Sequence, residues 1–123
     1  DAAITRMVTW TILKDKSSAA ELFVLNTHFD HMGAEARLQS ARLIRDRITG
    51  MHPDHPVVLM GDFNCDPSSA PYQELTSQAK GTVLADVMAG YEVKSASPQG
   101  TWNAFKATEA LRIDFIFVGR GAR

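Results

Sequence analysis

The chain has 123 residues, 45% of them hydrophobic and 22% charged, and a formal net charge of −1. That is one domain's worth of ordinary globular composition. The near-neutral charge gives no support to a polyanionic partner, which usually selects an excess of Lys and Arg. The single cysteine, Cys65, excludes an intrachain disulfide, and no apolar stretch approaches the length that spans a bilayer.

Asp1-Ala2-Ala3-Ile4-Thr5 lacks the basic and apolar regions of a secretory leader. Met7 to Leu13 carries the β-branched and aromatic content of a strand. Lys14-Asp15-Lys16-Ser17-Ser18 reads as a polar turn, and Leu22-Phe23-Val24-Leu25 as a strand buried on both faces. The two strands can form a hairpin. From Gly33 to about Met51 the period becomes helical, with Leu38, Ala41, Ile44, Ile48 and Met51 on one face. Arg42, Arg45, Asp46 and Arg47 fill the rest, and Gly50 and Pro53 end the helix. Val57-Val58-Leu59-Met60 is a second buried strand. Ser68 or Ser69 can cap a short helix with Pro71 in its first turn, running to about Gln78. Gly81 to Gln99 reads mostly as loop, and Ile113 to Val118 as the last strand. The alternation of strands and helices makes the class α/β.

Three polar clusters punctuate this pattern. Asn26-Thr27-His28-Phe29-Asp30-His31 directly follows one buried strand, and Gly61-Asp62-Phe63-Asn64 follows the other. In open α/β sheets ligands gather at the carboxyl ends of strands, where both clusters lie. Gly, Asp and Asn are also ordinary turn formers, so the second cluster has a plain structural reading. As a site, Asp62 and Asn64 at i and i+2 offer a carboxylate for a water proton or a hard cation, and an amide for a phosphoryl oxygen. The third cluster is Asp114, a carboxylate inside an apolar strand. Buried without a partner it is costly, so it needs either Arg112 or a functional group such as an imidazole or a metal.

His28-x-x-His31 invites a zinc reading, because His-x-Asp-His resembles part of the metallo-β-lactamase-like motif. That motif needs another His two positions before His28, where this chain has Asn26. His52 and His55 lie in a Pro-rich turn, a poor place for ligands.

Together the clusters resemble the endonuclease/exonuclease/phosphatase superfamily, whose fold is deoxyribonuclease I-like. Asn26 to His31 is similar to its Asn-Thr-His-(Leu/Phe)-Asp-His segment, and Gly61-Asp62-Phe63-Asn64 matches its most recognisable motif. Gly100-Thr101-Trp102-Asn103 and Arg112-Ile113-Asp114-Phe115-Ile116-Phe117-Val118 resemble its two closing segments. Four motifs in the family's order cover nearly the whole chain.

The resemblance implies a hydrolase that attacks phosphorus with water, assisted by Mg2+ or Mn2+. It implies that His28 contacts the scissile phosphate, that Asp62 acts on the water, and that Asn64 orients water or phosphate. Asp114 would align a histidine beyond the last strand. Asp62 and Asn64 would share in metal binding, and Asn26, His31, Trp102 and Asn103 would line the substrate cleft. For Trp102, core packing is the competing reading.

The family's upstream Asn and metal-binding Glu, and its closing Ser/Thr-Asp-His segment, have no counterpart in residues 1–123. The expectation is therefore the carboxy-terminal part of one domain, a partial α/β sandwich of about one mixed sheet with flanking helices. Such a chain would be inactive or nearly so, and would leave an apolar sheet face for the missing half or a second copy to cover. The rival is a non-catalytic interaction module of the same descent. The phosphoester class and the compartment stay open.

Overall fold

In the computed structural model, residues 1–51, 54–78, 83–90, 100–106 and 111–120 are described. Their elements run β1 (Val8–Lys14), β2 (Glu21–His28), α1 (Ala34–Met51), β3 (Pro56–Asp62), α2 (Ala70–Thr76), β4 (Val83–Asp86) and β5 (Asp114–Arg120). The five strands form one mixed sheet in the order β1-β2-β3-β5-β4.

The expected hairpin is present, β1 and β2 pairing antiparallel. Asp15 builds its turn by accepting the N–H and hydroxyl of both Ser17 and Ser18. These bonds, the Ser17 hydroxyl foremost, hold its carboxyl below the usual carboxylate range. β3 joins β2 in parallel after the α1 crossover, and β5 returns antiparallel to β3.

Both helices pack on the same side of the sheet. Ala41, Ile44 and Ile48 of α1 and Leu75 of α2 share a core with Phe23, Leu25, Val57, Leu59, Leu84, Phe115 and Phe117. This corrects the reading of β2 and β3 as buried on both faces. Their burial alternates along the strand: Phe23, Leu25, Val57 and Leu59 are buried, whereas Val24 and Val58 are only partly covered. Period 2 turns those residues to the other face, which neither α1 nor α2 covers. Among the described residues, the apolar runs read as buried on two faces have one buried face and one partly covered apolar face.

Three further readings change. Arg45, placed on the polar side of α1, is 2% exposed, with its Nη1 donating to the Glu74 carbonyl of α2. The stretch read mostly as loop contains β4, where Leu84 and Asp86 face the core and pair with β5. Four residues were too few for periodicity to show it, and residues 79–82 and 91–99 lie outside the described set. The second helix ends at Thr76, and Ser69 at its start gives its hydroxyl to the Asp66 carbonyl instead of capping. His52 and Pro53 also lie outside the described residues.

Candidate active site

The sheet register assembles the site. His28 is the partner of Asp62 across β2 and β3, and Asp62 is the partner of Asp114 across β3 and β5. Because β5 runs antiparallel to β3, its first residue, Asp114, meets Asp62 at the end of β3, which in turn meets His28 at the end of the parallel β2. One row of three candidate side chains thus crosses the open face at the strand ends. Behind it lies Asn26–Met60–Ile116, and behind that Val24–Val58–Val118, so the face grades from polar to apolar.

The phenylalanines between these residues explain why the turns hold their shape. Phe29 and Phe63 point into the core, 1% and 0% exposed, and meet edge to face at 4.9 Å. Phe63 also packs against Phe115 and Phe117 at 5.8 and 5.3 Å. Phe63 anchors its turn with Asp62 and Asn64 partly open beside it, and Phe29 anchors the other with His28 exposed on one side and Asp30 buried on the other. Backbone bonds then tie the turns together: Phe29 N–H donates to the Asp62 carbonyl and Phe63 N–H to the Ile113 carbonyl.

Gly61 is required by this closeness. Its φ is +145°, and a Cβ there would lie 1.9 Å from the Thr27 carbonyl oxygen. Asn64 takes a left-handed φ of 47°, a conformation that its residue type tolerates. Its N–H donates to Asp62 Oδ1 at 2.9 Å, and its side-chain Nδ2 to the Phe29 carbonyl at 3.0 Å. The remaining Asp62 oxygen, Oδ2, sits 3.4 Å from His28 Nε2, with the imidazole 55% and the carboxylate 30% exposed. Both are open to a ligand.

Asp114 corrects the expectation of a buried carboxylate seeking a partner: it is exposed. Arg112 turns instead to Asp86, Nη2 to Oδ2 at 2.6 Å, and lies over the Phe115 ring at 4.7 Å. Tyr72 donates to the same Asp86 oxygen and Met88 N–H to the other. Burial raises the Asp86 carboxyl, but Arg112, Met88 and Tyr72 together hold it below its ordinary value. This network is not legible from sequence because Asp86 falls in the stretch that reads mostly as loop.

The other expected residues lie around the row. Asn26 is exposed behind His28 and borders two depressions, one of about 470 Å³ with Arg6, Thr9 and His28 and one of about 460 Å³ with Thr101 and Asp114. His31 is exposed, its Nδ1 3.2 Å from Arg6 Nη2. Trp102 is 49% exposed and bridges to Leu111, so the core-packing reading does not hold. Asn103 shapes the adjoining turn by accepting the Phe105 N–H.

Asp30, the centre of the zinc-like pattern, is buried and accepts four backbone N–H groups, those of Ala3, Ile4, Met32 and Gly33. The Gly33 bond leads in holding its carboxyl below the usual range. Asp30 is thus a structural clasp between the first residues and the α1 entrance. His55 pairs with Glu21 at the opposite end of the strands.

For a divalent cation the donor set is incomplete. Among the described residues no three His, Cys, Asp or Glu side chains converge as a metal group. Asp62 already accepts the Asn64 N–H on one oxygen. Hard cations take six or more oxygen donors, so these residues by themselves do not form a cage.

Residues 4–123 match the model of the Endonuclease/Exonuclease/phosphatase family. The chain resembles the endonuclease/exonuclease/phosphatase from Bacteroides vulgatus at 36% identity and a TM-score of 0.83, over 97% of this chain and 46% of that one. A mannosyl-6-phosphatase from Bacteroides thetaiotaomicron is 32% identical with a TM-score of 0.76, over 97% and 45%. The human Nocturnin catalytic domain, 20% identical, shares the fold with a TM-score of 0.67, over 92% and 41%. No match was found among curated proteins. The chain thus spans under half the length of these solved structures. The family match over nearly every residue, with the family's motifs meeting in one row, shows that the chain belongs to the Endonuclease/Exonuclease/phosphatase family.

Proposed function

We propose that the domain containing these residues is a divalent-metal-dependent phosphoester hydrolase, and that residues 1–123 alone are inert or nearly so. The observation that carries the reading is the cross-strand row His28–Asp62–Asp114 on the open face. Asp62, oriented by the Asn64 N–H, takes a proton from the attacking water. His28 stabilises charge on the phosphoryl oxygens, and Asn64 orients water or phosphate. The water oxygen bonds to phosphorus in line as the bond to the leaving oxygen breaks. The leaving oxygen takes a proton from an acid outside this chain, a histidine aligned by Asp114.

Mg2+ or Mn2+ is the expected cofactor, with Asp62 and Asn64 supplying only part of its shell. The other ligands belong to the rest of the domain, which also covers Val24, Val58, Ile116 and Val118. That covering half, or a second copy, is the proposed partner. Asn26, His31, Trp102 and Asn103 are proposed to contact substrate. The 32% identical relative is a mannosyl-6-phosphatase, so a sugar phosphate is the first natural substrate to assay.

The test compares this chain with the longer gene product on bis-p-nitrophenyl phosphate and on sugar phosphates, with Mg2+ or Mn2+. Turnover by the longer protein alone, lost about 10²–10⁴-fold in Asp62→Ala, supports the reading. A longer protein silent on all of them overturns it and favours a non-catalytic interaction role.

A further inference from the structure

We propose that Thr101 is a positioning residue of the site, its hydroxyl fixing Asp114 in the row with His28 and Asp62; this rests on the phosphoesterase reading above. Thr101 Oγ1 accepts the backbone N–H groups of both Ile113 and Asp114, each at 3.1 Å. The Thr101 N–H donates to the Leu111 carbonyl at 2.9 Å, next to the Trp102–Leu111 bridge. One residue therefore closes the loop back onto the start of β5 through backbone and side chain together. The chain of bonds continues, because the Ile113 carbonyl accepts the Phe63 N–H at 2.8 Å. Phe63 lies between Asp62 and Asn64, so the Thr101 hydroxyl is linked by two peptides to the turn that carries the water-activating carboxylate.

A hydroxyl has two acceptor lone pairs and one proton. With both N–H groups on its oxygen, Thr101 has only its proton left to offer. Thr101, Asp114 and Asn26 border the same depression of about 460 Å³, so that proton lies beside the expected substrate cleft.

The setting separates positioning from stability. Thr101 and Asp114 are exposed. Water can replace a lost hydroxyl at the two N–H groups, which keeps the stability cost small. Water does not fix the peptide's direction, and a displacement of about 1 Å at a reacting group costs on the order of 10²-fold in rate. Thr101→Val removes the acceptor but keeps the shape, and Thr101→Ser restores the acceptor without the methyl.

The experiment measures kcat, KM, melting temperature and hydrogen exchange at residues 113–114 in the longer protein with Mg2+, using bis-p-nitrophenyl phosphate. The expected result for Thr101→Val is kcat lower by about 10–100-fold with KM within about threefold, the pattern of a lost transition-state interaction. Its melting temperature stays within about 2 °C and its exchange at 113–114 accelerates, while Thr101→Ser returns both readouts towards wild type. Wild-type kcat in Thr101→Val overturns the proposal, whether exchange changes or not, because the hydroxyl then only closes a loop. Equal impairment of Thr101→Ser also overturns it, by assigning the effect to the methyl. A wild-type protein silent on every phosphoester is a separate outcome, which removes the phosphoesterase reading and this proposal with it.

Discussion

The two faces of the sheet are made by alternate residues of the same strands, yet they have opposite fates. On the covered face Phe23, Leu25, Val57, Leu59, Phe115 and Phe117 are each at most 3% exposed. On the open face Ile116 and Val118 remain 47% and 40% exposed. The covered face supplies the cohesion of this chain, and the open face carries the candidate site and a surface suited to a further layer. The residues that anchor the candidate site and those proposed to act in it are thus sequence neighbours on opposite sides: Phe63 below, Asp62 and Asn64 above.

Substitutions on either side sharpen this contrast. The largest effect is expected for Phe63→Ala, where truncating a buried aromatic costs about 3–5 kcal/mol. That consumes much of a small domain's stability, and a urea titration followed by circular dichroism should show a lost or greatly lowered transition. Gly61→Ala comes next. Its backbone conformation alone costs about 1–3 kcal/mol in a residue with a Cβ. The contact with the Thr27 carbonyl must also be relieved by parting β2 from β3, which lowers the urea midpoint.

Asp30→Asn should have a smaller and pH-dependent effect. The Asp30 carboxyl is held below its ordinary value of 3.8, so its contribution is complete above that value and fades as pH falls below it. The melting temperature of Asp30→Asn should lie below wild type at neutral pH, and the gap should narrow as pH drops below about 4. The smallest effect is expected for Ile116→Thr on the open face, within about 0.5 kcal/mol in this chain. A loss comparable to that of Phe63→Ala would show that the open face is part of a core already formed.

Much of this was legible in the sequence, for identifiable reasons. Alternation and helical period located four of the five described strands and both described helices, and the strand-end position of Asp62 makes it a candidate before any geometry. Register did the rest, since only pairing reveals that His28, Asp62 and Asp114 form one row. Apolar runs do not say how many faces are covered, so Val24 and Val58 were read as buried. Nor did pattern find the Arg112–Asp86–Tyr72 network, whose members are separated by up to 40 residues and one unassigned strand. Thr101 stands in the sequence as part of the Gly100-Thr101-Trp102-Asn103 motif, but no role for it is legible until its hydroxyl is seen to accept two backbone N–H groups.

On the proposed function, the row His28–Asp62–Asp114 is poised but incomplete. Its most direct test is hydrolysis of bis-p-nitrophenyl phosphate by the purified 123-residue chain with Mg2+ or Mn2+, beside its Asp62→Ala variant. The expected result is no turnover above the metal-only background in either protein. Metal-dependent turnover by the chain that disappears in Asp62→Ala would contradict this and show that these residues suffice for catalysis.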